Sequence, residues 1–240
     1  MDSPQVEAAI LIPCFNAAPH LRQCLESAFA QRCDSSIAQA YPILLCDDGS
    51  TDNSLEIAES YPISIIKSPI NLGVGRTRQR WVEEARSMFN PEFIQFLDAD
   101  DFLISPNKIS NQLAHKEGSD ALIDPLLFIY PNGDRRTVTI SPNLKEAAIQ
   151  GRIWQLNACL FRASKIPTFR PCNACSDSLF LIDCIKACLV AKQVSNSPTS
   201  AYRKNWSGNQ ITANHHEERR QLSIAFAQEI ATLIDDAKLQ

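Results

Sequence analysis

The chain has no apolar run long enough to cross a bilayer. Segments such as 8–15 and 126–130 fall far short of the roughly 20 residues that a spanning helix needs. Positive charge is not in excess either. Lys and Arg number 23 against 27 Asp and Glu, a net charge of -4, so the overall balance favours neither nucleic acid nor an anionic membrane. Any basic site must be local, and no nucleic-acid partner is expected. Residues 1–7 are acidic and lack the positive flank of a secretory signal. The expectation is a cytoplasmic protein, with peripheral membrane contact left open. There is no internal repeat, low-complexity tract or interdomain linker, so 240 residues with 45% hydrophobic content read as a single domain spanning 1–240.

Nine cysteines is an odd number, which suits a reducing compartment better than a disulfide framework. Several lie inside apolar patterns, as in Leu44-Leu45-Cys46, where a thiol behaves as a small hydrophobe. A zinc site is the sharper alternative, formed by Cys172 and Cys175 with Cys184 and Cys188. Against it, the second pair has helical spacing on a face shared with Phe180.

What is present is an alternation of strand and helix patterns. Ala9-Ile10-Leu11-Ile12, ended by Pro13, is the continuous apolar run of a strand covered on both faces. Pro19 then opens a helix carrying Leu21, Leu25, Ala28 and Phe29 on one side. The unit repeats: a strand over 42–46, a helix capped by Asp52 and running to 60, a strand over 63–66, a helix bearing Val74, Trp81, Val82, Ala85 and Phe89, and a strand over 93–97. Such alternation predicts an α/β fold with a mainly parallel sheet flanked by helices, which binds ligands beyond the carboxyl ends of its strands. After 105 the pattern changes. Strands over 121–130 and 137–140 flank Asn132-Gly133, a strong hairpin signal, so a small antiparallel element is expected in the second half. A short strand over 157–161, a helix capped by Ser176, and an amphipathic helix over 216–238 complete the chain.

Two acidic clusters follow apolar runs: Asp47-Asp48-Gly49-Ser50-Thr51-Asp52 and Asp98-Ala99-Asp100-Asp101. Between them lies Asn71-Leu72-Gly73-Val74-Gly75. Carboxylates about 5 Å apart repel by roughly 3 kcal/mol at an effective dielectric of ~20, a cost that a divalent cation relieves. In an extended segment Asp98 and Asp100 would face a common ligand, and hard oxygen donors suit Mg²⁺ or Mn²⁺. Arg76, Arg78 and Arg80 form the densest basic cluster, at a helix start where backbone N–H groups already favour anions.

These motifs, together with Ile12-Pro13-Cys14-Phe15-Asn16, resemble the family 2 glycosyltransferases in order and approximate spacing over residues 8–105. The resemblance implies a GT-A fold with a nucleotide-sugar-binding half (1–105), an acceptor-binding half (106–215) and a C-terminal amphipathic helix (216–240). It also implies inverting transfer from a nucleotide-sugar donor, with UDP the leading choice, and a divalent cation. Carried onto this chain, the donor residues are Pro13, Phe15, Asn16, Asp48, Asn71, Gly73, Arg78 and Asp98. Asp48 would meet the base, Asp98 the ribose, and Asp98 and Asp100 the metal. Asp177, opening a helix, becomes the general base; a helix N-terminus should keep it ionised and less basic. Asp101 would substitute for either metal carboxylate or cap the next helix. The chain departs from the family pattern at Gln79, Ser176 and Asn205, the last standing where a His often completes the metal shell. Those departures also admit an inactive nucleotide-sugar-binding or assembly protein of the same fold. A nucleotidyltransferase is disfavoured, because the loop after the first strand has neither glycine nor lysine. The acceptor class stays open among saccharide, lipid-linked and protein hydroxyls, as does the oligomeric state. Trp154 and Trp206 are candidates for sugar stacking or for packing.

Overall fold

The apolar run predicted for the first strand forms β1 (Val6–Cys14), in which residues 8–12 are wholly excluded from solvent. The computed structural model describes residues 5–31, 41–150, 155–172, 176–204 and 216–238. A strand apolar on both sides needs cover on both sides. Ile10 and Ile12 pack with Leu21 and Leu25 of α1 (Ala18–Phe29), while Leu11 packs with Trp81 and Val82 of α3 (Val74–Phe89).

Parallel pairing extends from β1 to β2 (Ile43–Asp47) and on to β3 (Ser64–Lys67), with α2 (Ser54–Glu59) between them. On its other side β1 pairs in parallel with β4 (Pro91–Phe96). Beyond β4 the direction reverses at β9 (Cys159–Arg162), which is antiparallel both to β4 and to β6 (Ala121–Ile123); β10 (Ala191–Gln193) closes that edge. Among the described residues this makes a seven-stranded sheet in the order β10-β6-β9-β4-β1-β2-β3. A second, four-stranded sheet runs β5-β11-β7-β8, from β5 (Phe102–Leu103), β11 (Ser200–Arg203), β7 (Leu126–Ile129) and β8 (Arg135–Val138). The short helices α4 (Lys108–Leu113) and α5 (Leu144–Ile149), then α6 (Ser176–Lys186) and α7 (His216–Lys238), complete the order.

The Asn-Gly hairpin joins β7 to β8 as expected. The single strand expected over 121–130 is instead two strands in different sheets, parted at Asp124-Pro125. The buried Asp124 carboxylate accepts hydrogen bonds from Ser195 N and Thr199 Oγ1, which fixes the chain where it changes sheet. The strand expected over 157–161 starts later, after a 3-10 turn over Leu156–Ala158. α7 packs Ile230 against the main core, and its Glu229 pairs with Arg170 and with Lys186 of α6. Among the described residues no helix is long and apolar enough to cross a membrane. Cys184 is buried and Cys188 is exposed, Cys175 lies outside the described residues, and no three His, Cys, Asp or Glu converge as a metal site among those described.

Candidate active site

The carboxyl ends of β1 and β2 are laced together by hydrogen bonds before any ligand is considered. Asn16, at φ +50°, donates its N–H to Ser50 Oγ, and its Oδ1 accepts from Thr51 N at 2.8 Å and from Asp52 N at 3.3 Å. Ala17 N donates to Ser54 Oγ at 2.8 Å. Asp52 is not the N-cap of α2, a place taken by Asn53. Its carboxylate accepts from Ser54 N and reaches across to Ala18 N, tying α2 to α1. Burial pushes Asp52 up, but the hydrogen bonds together outweigh it and hold the group below the usual carboxylate range. Asp47 turns back on its own loop and accepts from Ser50 N.

Asp48 is buried, with both oxygens engaged: Leu72 N donates to Oδ1 at 3.1 Å and Thr77 Oγ1 to Oδ2 at 3.2 Å. Burial raises its pKa, against the pull of these donors. Asp48 thus holds the glycine turn in place, a structural task that leaves its other lone pairs for a ligand. Within the turn Asn71 Oδ1 accepts from Gly73 N, and Gly73 sits at φ +84°. Gly75 is required for a different reason. A Cβ there would lie 2.0 Å from the carbonyl oxygen of Arg170, and Gly75 N donates to Cys172 O at 2.9 Å. The start of α3 is therefore pressed against the 170–172 segment that leads towards α6. Pro13 and Phe15 lie half-buried at the rim, and Asn71 is exposed.

The structure separates the three arginines. Arg76 and Arg80 are exposed, while Arg78 is 5% exposed and faces inward. Arg78 Nη2 lies 3.3 Å from Asp98 Oδ1, and Nη1 donates to Asp177 Oδ1. One guanidinium thus joins the acidic turn after β4 to the first turn of α6, reaching Asp177 from 99 positions away in sequence. Burial alone would make Arg78 easier to deprotonate, yet Asp177 and Asp98 hold it firmly charged. Asp177 departs from expectation: burial raises its pKa and outweighs Arg78, so it is a stronger base than a helix N-terminus alone would make it. Gln79, the departure beside Arg78, accepts from Phe169 N and anchors the segment before Arg170.

Asp98 and Asp100 lie in a turn closed by Asp101 N donating to Asp98 O, not in an extended segment. Asp100 is pushed up to about 6 by burial and by Asp98. Asp101 neither caps α4 nor joins the rim. It is buried, its Oδ1 accepts from Arg203 N at 2.8 Å and its Oδ2 from Asn157 Nδ2 at 2.9 Å, so it fastens β11 to the turn. Arg203, whose role sequence reasoning left unassigned, donates to Asp100 O and to Gln23 Oε1 and stacks on Phe102. Its position at the end of the short apolar run of β11 was the available signal. Asp98 and Asp100 offer the hard oxygen donors that a divalent cation takes, although among the described residues no three His, Cys, Asp or Glu converge on one point. Asn205, Trp154 and Trp206 lie outside the described residues.

A mainly parallel sheet carrying two acidic rims and a glycine turn at its strand ends, joined to an antiparallel element, defines the GT-A class of fold. The chain belongs to glycosyl transferase family 2, whose family model matches residues 9–175. It is 27% identical over 192 residues to an uncharacterized glycosyltransferase of Haemophilus influenzae, covering 74% of this chain and 71% of that one. It is 36% identical over 97 residues to the uncharacterized glycosyltransferase YibD of Escherichia coli, 39% of this chain but 26% of the relative. Among solved structures, that of S. aureus TarS 1-349 in complex with UDP-GlcNAc superposes with a TM-score of 0.67 at 19% identity, covering 86% of this chain and 60% of that chain. The chain thus spans only part of the length of several proteins it matches.

Proposed function

We propose that the protein transfers a sugar from a UDP-linked donor to an acceptor hydroxyl with inversion at the anomeric carbon, Asp177 serving as general base. The observation that carries this reading is the buried Arg78 fork, which holds Asp98 of the donor rim and Asp177 of α6 on one guanidinium. One guanidinium thereby links a residue read as a donor contact to the residue read as the base. The UDP-GlcNAc bound to TarS in the same fold supports a uridine donor.

In the reaction the acceptor oxygen forms a bond to the anomeric carbon as the bond from that carbon to the diphosphate oxygen breaks. UDP leaves, and the acceptor proton passes to Asp177. Asp177, raised by burial, is suited to take that proton. Arg78 keeps it oriented and ionised, and Asp98 and the Asp48-anchored glycine turn seat the nucleotide. Mg²⁺ or Mn²⁺ held by Asp100 with Asp98 would supply neutralisation of the charge gathering on the departing diphosphate.

Thermal shift with UDP, UDP-GlcNAc and UDP-glucose, with and without Mn²⁺, tests donor binding, because a ligand that binds only the folded state raises apparent stability. Asp177→Asn should cut transfer by about 100-fold or more while UDP affinity stays within a few-fold. Transfer at the wild-type rate in that variant would remove Asp177 from the mechanism.

A further inference from the structure

The second sheet gathers aromatic and basic side chains on one face, and that face starts at the acidic turn. β11 pairs in parallel with β7, which sets Tyr202 opposite Phe128, and β7 pairs antiparallel with β8, which sets Phe128 opposite Arg136. Side chains alternate along a strand, so these three share a face and, two residues on, Lys204 and Tyr130 return to it. The contacts agree. The Tyr202 and Phe128 rings lie 5.3 Å apart, and the Lys204 ammonium lies 4.9 Å from the Phe128 ring and 5.5 Å from that of Tyr130.

The inner end of this face meets the site. β11 pairs with β5, which directly follows the acidic turn, and Arg203 N, next to Tyr202, donates to Asp101 Oδ1 at 2.8 Å. Burial first and then the carboxylates of Asp101, Asp98, Asp177 and Asp100 raise the Tyr202 phenol. The outer end opens into a cavity of 420 Å³ lined by Tyr130, Asn132, Asp134, Arg135 and Arg136. No carboxylate pairs with Lys204, Arg135 or Arg136 among the described residues, and Asp134 is held by Asn132 Nδ2 at 2.7 Å. Phe128 and Tyr202 are half-buried against the main core and form the floor of this face, and cations without a carboxylate partner above such a floor select an anion.

We propose that this face is the acceptor site and that it selects a saccharide carrying an anionic group, either a carboxylate or a phosphodiester, seated against Lys204 and Arg136. The assignment rests on the glycosyltransferase reading above. Tyr202 and Lys204 are two residues apart on extended backbone, about 7 Å, so the charge is read about that far along β11 from the end that adjoins the acidic turn.

Calorimetric titration of the whole protein, with and without UDP, against three oligomers of equal length tests this: a uronate-containing oligosaccharide, a phosphodiester-linked polyol oligomer and a neutral glucan. At least one charged probe should bind about ten-fold tighter than the neutral one at low salt, with the preference shrinking as salt rises; which probe wins separates carboxylate from phosphate. Lys204→Gln combined with Arg136→Gln should bring the charged probe down to the neutral level, whereas Lys204→Arg should keep most of the preference. Equal affinity for all three probes, or a preference unchanged in the double variant, overturns the proposal. UDP titrated alone reads the parent function separately. No UDP binding sinks the transferase reading, while UDP binding without charge preference sinks only the acceptor assignment.

Discussion

In the 47–52 loop the carboxylates are met by neighbouring N–H and O–H donors, from Ser50 on Asp47, Leu72 and Thr77 on Asp48, and Ala18 and Ser54 on Asp52. In the 98–101 turn, by contrast, Asp98 is met by an arginine side chain, Asp100 is raised by burial and by Asp98, and Asp101 is raised by burial, Asp100 and Asp98 despite its donors Arg203 N and Asn157 Nδ2. Both segments are acidic and both end a strand. The first spends its carboxylates on holding three loops in register, so it is a scaffold that a ligand can lean on. The second keeps negative charge incompletely neutralised, which is the state a cation or a cationic transition-state partner requires.

Arg78 is where the second region depends most on one residue, and its removal should give the largest effect. Arg78→Ala leaves the half-buried Asp98 and Asp177 without their counter-charge, and stranding them costs about 3 kcal/mol, the low end for a buried pair because both acids are partly exposed. Chemical denaturation reads this directly. A loss under about 1 kcal/mol would mean that solvent reaches the carboxylates and that the contrast between the two regions is overstated.

Asp48→Ala probes the first region. It strips the acceptor from Leu72 N and from one arm of Thr77 Oγ1, although Thr77 still donates to Gly73 O, so a loss of about 2 kcal/mol is expected. Because the glycine turn loosens with it, UDP affinity should fall in parallel. Wild-type stability with lost affinity would instead make Asp48 a pure ligand contact, and the scaffold description of this loop would fail.

This contrast was only half legible in the residues. The apolar run of β1, the helical stripe of α3 and the Asn-Gly hairpin each follow from a local rule, and each stands where expected. The choice of Arg78 over Arg76 and Arg80 was also within reach, since Arg78 shares the inward face of α3 with Trp81, Val82 and Ala85. What stayed hidden depends on partners distant in sequence. Asp101 looks like its neighbours until Asn157 and Arg203 arrive from 56 and 102 residues away. Burial of Asp177 overturns the helix-terminus argument for the same reason, and the split at Asp124-Pro125 is enforced by Ser195 and Thr199.

Asp100→Asn should give the smallest effect, and of the opposite sign. The folded protein holds Asp100 near 6, above its ordinary 3.8, so the fold disfavours the ionised form. At pH 7.5 that ionised carboxylate subtracts stability, and the subtraction fades as pH falls from about 6 through 3.8, vanishing near about pH 3, where both states are protonated. Asn removes the charge and keeps the shape, so the variant should be more stable than wild type by about 1 to 2 kcal/mol at pH 7.5 without cation, and no more stable at about pH 3. With Mn²⁺ and UDP the order should invert, because the wild type gains binding free energy that the variant largely forgoes. Such an exchange of stability for ligand binding marks a functional carboxylate. If Asp100→Asn instead loses stability at pH 7.5, the turn is a second scaffold, and the cation belongs elsewhere.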